Sequence, residues 1–185
     1  DLPALTADFS HVDNLELIGS GEPGALDHFL ESFSGLVRMD LRDFDLHNLP
    51  PRLTTLAGLK QLTLQNCGVV LTPENRSILS NLNGLTALDL EGNPLGVTFD
   101  FTFMPNLTHL NLSSTGLSEI PSGVLDHPRL TSAWLTDNQI TTLPDALFEQ
   151  PAASTAGYDF FGNPLSAATR ENVKIYFNRT GSDLG

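Results

Sequence analysis

The stretch LTALDLEGNPL, residues 85–95, decides the fold of this chain, because its pattern recurs along almost the whole sequence. Leucine occupies positions 1, 4, 6 and 11 of the stretch, and asparagine occupies position 9. Copies of this frame, some of them degraded, start at residues 12, 36, 59, 85, 107, 130 and 155, with spacings of 24, 23, 26, 22, 23 and 25 residues. A period in this range is typical of a solenoid, in which each repeat stacks on the next.

Positions 4 to 6 of each repeat predict a short β-strand. Alternate residues of a strand point to opposite faces, so the apolar side chains at positions 4 and 6 face inward and position 5 faces solvent. Each strand pairs with the strand of the next repeat. We therefore predict a curved α/β solenoid of about seven repeats, with a parallel sheet on its concave face and short turns or helices on its convex side. The concave face is defined here as the residues at positions 3, 5 and 7 of the repeats.

Position 9 predicts a polar ladder inside the solenoid. The chain turns away from the strand at this point, and a small polar side chain can bond the backbone groups that are turned inward. The predicted ladder residues are Asn93, Asn138, Asn163, Cys67 and Thr115. Ser20 can continue the ladder, but Phe44 cannot, so we expect an interruption at Phe44.

The segments that return from one strand to the next differ in length. Thr72 as an N-cap with Pro73 after it predicts a helix in the third repeat, with Ile78, Leu79 and Leu82 facing the core. The first return segment is also predicted to be helical, from the spacing of Leu26, Phe29, Leu30 and Phe33. The segments after Ile120 and Leu143, which begin with Leu-Pro or Ile-Pro pairs, predict short turns.

The repeats and their ends predict one domain over residues 1–185. Residues 1–11 form an N-terminal cap, in which Leu2, Leu5 and Phe9 cover the first repeat. Residues 12–165 form the seven repeats. Residues 166–185 form a C-terminal capping helix and the start of a linker; the helix begins at Ser166 and covers the last repeat with Val173, Tyr176 and Phe177.

Composition restricts the class of partner. Nine Lys and Arg residues against 22 Asp and Glu residues give a net charge of -13, which argues against nucleic acid and against anionic membranes. No apolar run approaches the roughly 20 residues of a membrane span. A protein partner is what remains. The first residue is Asp1 rather than Met, and we interpret the chain as a piece of a longer protein.

The motif L-x-x-L-x-L-x-x-N-x-L, followed by L-P-x-x-x-L-F, is identified as that of the leucine-rich-repeat superfamily, over about residues 12–165. A narrower resemblance lies in LPALTADFSHV (2–12), VLTPEN (70–75), GNPL (92–95 and 162–165) and NPLSAATRENVKIYFNRTG (163–181). These phrases resemble large Pseudomonas-type proteins, in which a toxin-like region precedes the repeats and a cysteine-dependent ubiquitin ligase domain of the novel E3 ligase (NEL) class follows them.

The resemblance implies a secreted, soluble bacterial effector that acts in the host cell. Its repeats would select substrates or restrain the ligase, so the partner is a host protein or the ligase domain of the same chain. The catalytic cysteine of that family belongs to a domain that this chain lacks. The alternative is an independent scaffold or adhesion protein with no ligase attached.

The predicted binding site lies on the concave face and at its rim, where Asp137 occupies position 8. It consists of Trp134, Phe161, Asp159, Asn111, His109, Asp137, Asp89 and Glu91. We expect Trp134 to be the centre of this site. A large apolar side chain that faces solvent indicates a binding role, and interfaces concentrate their binding energy on aromatic residues. The alternative is that the C-terminal helix folds over Trp134 and Phe161 and makes them a capping cluster.

No group in the sequence predicts catalysis, a metal or a cofactor. Cys67 falls at ladder position 9, where burial is expected, and a nucleophilic thiol needs exposure and a base. The five histidines lack metal-ligand spacing. Asp89 and Glu91 are an acidic pair without a cleft or a base partner. Four N-x-S/T sequons, at Asn75, Asn106, Asn111 and Asn178, are interpreted as chance products of the repeat.

Overall fold

One parallel sheet runs through the computed structural model, which describes residues 2, 5, 7–19 and 26–184. Seven strands are present within these residues and pair in chain order. They are β1 (Asn14–Ile18), β2 (Arg38–Arg42), β3 (Gln61–Gln65), β4 (Ala87–Asp89), β5 (His109–Asn111), β6 (Ser132–Trp134) and β7 (Tyr158–Asp159). Each predicted repeat supplies one strand, so the predicted solenoid is confirmed.

The strand register places equivalent positions of the repeats side by side. Leu62 of β3 pairs with Leu88 of β4, which pairs with Leu110 of β5. These position-4 side chains and the position-6 side chains after them, such as Leu64 and Leu112, are buried. Each buried leucine stabilises the fold by roughly 1.5–3 kcal/mol. Because that burial takes place between neighbouring repeats, the stack is the unit of stability.

A left-handed residue follows each of the strands β2 to β7 at position 8 of the repeat. Positive φ angles occur at Asp43, Asn66, Gly92, Ser114, Asp137 and Gly162. Glycine adopts this conformation freely, and Asn and Asp tolerate it better than most other residues. At Gly162 a second constraint applies, because a Cβ atom there would lie 2.2 Å from Oδ1 of Asp137 in the preceding repeat.

Helices are present in the first and third return segments, as the sequence predicts, but the segment after Leu143, for which a short turn is predicted, holds two short helices. Helix α2 (Pro73–Asn81) has Thr72 as its N-cap, and the Thr72 hydroxyl accepts the N–H of Asn75 at 3.1 Å. Leu79 and Leu82 are buried and Ile78 is half-buried. The other segments hold α1 (Leu26–Phe29), α3 (Asp145–Glu149), α4 (Ala152–Thr155) and 3-10 turns at Leu30–Ser32, Pro51–Thr55 and Phe101–Phe103.

At the N-terminal end, Leu2, Leu5 and Phe9 pack against the core. The N–H of Phe9 donates to the carbonyl of Ser32 at 2.9 Å, and the Phe9 ring stacks on Phe33 with 5.3 Å between the ring centres. This contact joins the segment before the first repeat to the first return segment.

At the C-terminal end, helix α5 (Ala167–Thr180) begins after Ser166, whose hydroxyl accepts the N–H of Thr169 at 3.2 Å. Tyr176 of this helix is buried and Val173 packs against the core. Phe177, however, is 48% exposed, so its predicted capping role is wrong. Adjacent residues of a helix point about 100° apart, and the face that buries Tyr176 turns Phe177 outward.

The segment after α5 belongs to the solenoid. The carbonyl of Leu184 accepts the N–H of Phe160 at 2.8 Å, and the Leu184 side chain is buried. Ser182 is also buried, with its hydroxyl 3.2 Å from that of Thr155. The sequence predicts that a linker starts within residues 166–185. Up to residue 184, however, this segment packs on the last repeat, so that expectation is wrong for the described residues. This segment supplies a partner to a strand-edge N–H that would otherwise have none.

Candidate protein-binding face

The ladder asparagines lie inside the turn of the preceding repeat. Oδ1 of Asn138 accepts the backbone N–H groups of Thr115 and Leu117, both at 3.0 Å, and its amide donates to the carbonyls of Leu112 and Leu135. Asn93 does the same for Cys67 and the turn after β3. Oδ1 of Asn163 accepts the N–H of Ile140 at 3.0 Å. These side chains hold successive repeats in register and so fix the geometry of the concave face.

The other ladder positions make fewer bonds. The buried thiol of Cys67 lies 3.4 Å from the carbonyl oxygen of Leu41 and 3.3 Å from that of Gln65, and its single S–H can donate to either. The hydroxyl of Thr115 lies 2.7 Å from the carbonyl of Leu112 and 3.1 Å from Oδ1 of Asn138. Phe44 is half-buried against the core, and Ser20 lies outside the described residues.

A buried residue that the sequence interpretation missed ties down the turn after Phe44. Asn75, in helix α2, is fully buried. Its Oδ1 accepts the N–H of Leu49 at 2.8 Å, and its amide donates to the carbonyls of His47 and Val70 at 2.9 and 2.7 Å. The sequence interpretation treated Asn75 only as part of a chance sequon. The feature that could have indicated its role is its position three residues after the N-cap Thr72, where the side chain can turn back toward the preceding repeat.

Two aromatic side chains stand out from the concave face at its C-terminal end. Trp134 is 51% exposed and Phe161 is 66% exposed. Trp134 pairs in register with Asn111 on one side and Asp159 on the other. Helix α5 does not bury either ring; its Tyr176 contacts Phe148 of α3 instead, with 6.1 Å between ring centres. The capping alternative for Trp134 and Phe161 is therefore not what the structure shows.

The polar residues at position 5 of these strands are anchored to their own chain. Asp89, Asn111 and Asp159 each accept, through Oδ1, the N–H of the residue two positions later, at 2.9, 3.0 and 2.9 Å. Asn111 is buried and also donates to Oε2 of Glu91 at 3.0 Å. Both ends of the Asn111 amide therefore already bond within the chain, and its place in the binding site stays a prediction.

A shallow depression of about 190 Å³ lies between Trp134 and the middle of the sheet. Its lining includes Thr63, Asp89, His109 and Trp134, and its floor includes Ala87. Ala87 is a small residue at position 3, where the neighbouring strands carry Gln61 and His109. The small side chain leaves the space that the larger neighbours enclose.

Asp89 is the titratable group most affected by this setting. Burial raises the pKa of Asp89 above its usual value, and the negative charge of Glu91 adds to the rise. The N–H of Glu91 and the amide of Asn111 act in the opposite direction. No ion pair joins Asp89 or Glu91 to a cation within the described part of the chain. Two carboxylates are therefore held near each other without an ion pair, and the charge of Arg42 on β2 interacts with that of Asp89 at longer range.

The N-terminal half of the concave face has a different balance of charge. There the Arg42 guanidinium makes two hydrogen bonds to the Asp40 carboxylate, at 2.8 and 2.7 Å. That contact raises the pKa of Arg42 above its usual value. The charge of Arg42 is thus already engaged by its own strand, and β2 carries a second arginine, Arg38, at position 3.

The two remaining predicted site residues lie at the rim. His109 is exposed, and its Nδ1 lies 2.9 Å from the hydroxyl of Thr108. Asp137 is exposed but occupies the left-handed position 8, so its residue type has a backbone explanation that the sequence interpretation did not consider. Among the described residues no group of three or more His, Cys, Asp or Glu side chains is arranged to hold a metal.

Comparisons with known proteins identify the same repeat. A family model described as Leucine Rich Repeat matches residues 106–127. A Leptospira interrogans LRR protein superposes with a TM-score of 0.62 at 17% identity, over 91% of this chain and 48% of that one. An internalin from Listeria monocytogenes gives 0.61 at 16% identity, over 93% and 56%. The fold is a leucine-rich-repeat solenoid.

A curated relative is similar in sequence to this leucine-rich-repeat chain. Toll-like receptor 9 of Mus musculus is 33% identical over 153 residues, which cover 80% of this chain and 14% of the receptor. The chain thus spans a small part of the receptor and about half of each solved relative. These matches support the leucine-rich-repeat family, whose domains typically recognise protein partners. These three matches do not support the narrower resemblance to effector ligases.

The sequons of this leucine-rich-repeat chain have different surroundings. Asn75 and Asn111 are buried and hydrogen-bonded. Asn106 is half-buried between the carbonyl of Asn83 and the guanidinium of Arg129. Asn178 is exposed on α5. Within the described ranges, no helix has both the length and the apolar character that a bilayer crossing requires.

Proposed function

We propose that this chain is a non-catalytic recognition module that binds a protein partner on the C-terminal half of its concave face. The observation that carries the proposal is the exposure of Trp134 and Phe161 on a sheet whose other outward residues are mostly polar. Large exposed aromatic side chains on one face mark interaction surfaces. Trp is also among the residues that most often dominate the binding energy of an interface.

The anchored polar residues support the same function. Asp89, Asn111 and Asp159 are fixed by hydrogen bonds to their own strands. A surface whose side chains are fixed before binding loses less conformational entropy when a partner docks. The ladder residues in the turns after β3 to β7 add to this rigidity, because the asparagines among them bond the turn of the preceding repeat.

We further propose that the module is the substrate-binding or regulatory arm of a bacterial effector ubiquitin ligase. The support is the set of flanking phrases at residues 2–12, 70–75 and 163–181. An independent scaffold or adhesion protein is the alternative. The coding sequence beyond residue 185 separates the two, since a downstream cysteine-containing helical domain is expected only for the ligase.

Photo-cross-linking tests the binding face directly. A photoreactive amino acid at Thr136, on the concave face beside Trp134, should capture a protein from a lysate of eukaryotic cells. The same group at the exposed Glu119, which lies outside the sheet, is the matched control. Capture from Thr136 should disappear when Trp134→Ala is added. Equal capture from both sites, or capture that is indifferent to Trp134→Ala, would remove the concave face from the proposal.

A further inference from the structure

The C-terminal half of the concave face carries negative charge that no ion pair neutralises within the described residues. Strands β4 to β7 and the turns directly after them contain four carboxylates, from Asp89, Glu91, Asp137 and Asp159, and no Lys or Arg at positions 3, 5 or 7. Within the described residues, no ion pair joins any of the four to a cation. On β2, by contrast, Asp40 is neutralised by Arg42. The two halves of the face are therefore electrostatically unlike.

The depression beside Trp134 joins this charge to an aromatic wall. Trp134 and Asp89 line the same space, with Asn111 on the strand between them. The volume of about 190 Å³ is below the roughly 300–1,000 Å³ of small-molecule sites. A space of this size, open to solvent, fits one long side chain of a partner better than it fits a metabolite.

The Trp134 ring and the Asp89 carboxylate, which both line the depression, favour a positively charged group. Lys and Arg side chains are attracted to the face of a Trp ring, and the same cation can pair with a nearby carboxylate. Asp89 has lost part of its water to burial, which is why its pKa is raised. A positive group beside it would offset that loss. An acidic side chain would meet like charge from Asp89 and Glu91.

We propose that the concave face binds a basic segment of a protein partner, and that one Arg or Lys side chain of this segment lies between Trp134 and Asp89. This partner chemistry rests on the proposed function and makes it more specific. Other basic residues of the segment would face Asp159 and Asp137. Phe161, at the outer edge, would contact the apolar part of the segment.

Peptide display tests the proposal without a known partner. A library of random 12-residue peptides is selected on the immobilised chain, after removal of peptides that also bind the Trp134→Ala variant. The affinities of the selected peptides are then measured on two double variants. Asp89→Asn with Glu91→Gln removes the two central charges. Glu119→Gln with Glu149→Gln removes two exposed charges outside the sheet and corrects for the attraction of any basic peptide to a chain of net charge -13.

The proposal expects peptides enriched in Arg and Lys. Their affinity should fall about tenfold or more on the Asp89→Asn, Glu91→Gln variant and about twofold or less on the control. Binding should also weaken as salt increases. Selected peptides that need Trp134 but lack basic residues would overturn the basic-partner proposal and leave the proposed function standing. Equal losses on the two double variants, or a selection with no Trp134-dependent peptides, would also overturn the basic-partner proposal; the proposed function has its own test in the cross-linking from Thr136.

Discussion

Oδ1 of Asn75 accepts the backbone N–H of Leu49 at 2.8 Å, across 26 positions of sequence. Through this bond a residue of helix α2 supports the turn that follows Phe44, where the ladder at position 9 has an aromatic ring instead of a polar side chain. The bond is fully buried, and the amide nitrogen of Asn75 also donates to the carbonyls of His47 and Val70. A convex-side helix thus stabilises the stacking of the sheet.

Asn75→Ala should lower the stability of the fold more than its place in a surface helix suggests. Leaving a buried backbone group unpaired costs about 1–3 kcal/mol, and three such groups lose their partner here. Urea denaturation measures the change. Asn81→Ala, at an exposed position of the same helix, is the control and should change stability by less than about 0.5 kcal/mol. Similar losses for both variants would contradict the role of Asn75.

Asn138→Leu should destabilise the chain in the same way. The substitution keeps a side chain of similar size but leaves the N–H groups of Thr115 and Leu117 and the carbonyl of Leu112 without their partner. A loss of at least about 2 kcal/mol is expected. Gln139→Leu, at the exposed neighbouring position, is the matched control. Thermal unfolding that shifts equally for both variants would argue against a structural ladder.

The sequence was sufficient for the architecture because the repeat encodes it locally. Positions 1, 4, 6 and 11 specify which side chains are buried, and the register of the sheet follows from stacking equal units. Thr72 and Ser166 likewise mark helix starts by a local rule. These features need no knowledge of distant contacts.

The parts that escaped sequence interpretation depend on contacts between repeats. The role of Asn75 is explained only by the turn around Leu49, and the burial of Asn111 depends on the neighbouring strands β4 and β6. Whether Tyr176 or Phe177 faces the core depends on how helix α5 docks. At position 8 the sequence carries Asp, Asn, Gly or Ser, but only the positive backbone φ angles explain why these residue types recur there.

Cys67 should be unreactive in the folded chain. Its thiol is buried, and burial raises the pKa of Cys67, so the thiolate that reacts with electrophiles is scarce. A chromogenic disulfide reagent should modify it only at the rate of unfolding, and quickly in denaturant. The same burial predicts no ubiquitin thioester on Cys67 when the chain is incubated with ubiquitin, E1, E2 and ATP. Rapid labelling of the native chain would contradict this prediction.

Asp89→Asn should stabilise the chain at neutral pH. Because burial raises the pKa of Asp89 in the folded state, the folded chain binds a proton more tightly than the unfolded chain, and ionisation of this group costs stability as pH rises. The cost is present above the folded pKa and is absent below the unfolded pKa. The advantage of Asp89→Asn over wild type should therefore be greatest near pH 7 and should shrink on acidification. Asp159→Asn, at the same repeat position, provides the comparison. An advantage of Asp89→Asn that is constant with pH would contradict the burial effect.

Substitution of Trp134 should affect partner binding, whereas substitution of Tyr176 should affect the stability of the fold. Trp134 is half-exposed and carries no hydrogen bond to the core among the described contacts, whereas Tyr176 is buried, with its hydroxyl 2.7 Å from that of Thr155 and donating to the carbonyl of Gln150 at 3.1 Å. Tyr176→Ala should therefore cost about 3–5 kcal/mol of stability. Trp134→Ala should cost less than about 1 kcal/mol but should weaken partner binding by about 2–4 kcal/mol. Since Trp134 is the single Trp of the chain, its fluorescence reports its surroundings directly. The native emission should be that of a solvent-exposed indole and should move to shorter wavelength when a partner covers it; an emission already blue in the free chain, with a large loss of stability in Trp134→Ala, would make Trp134 a core residue and not a binding anchor.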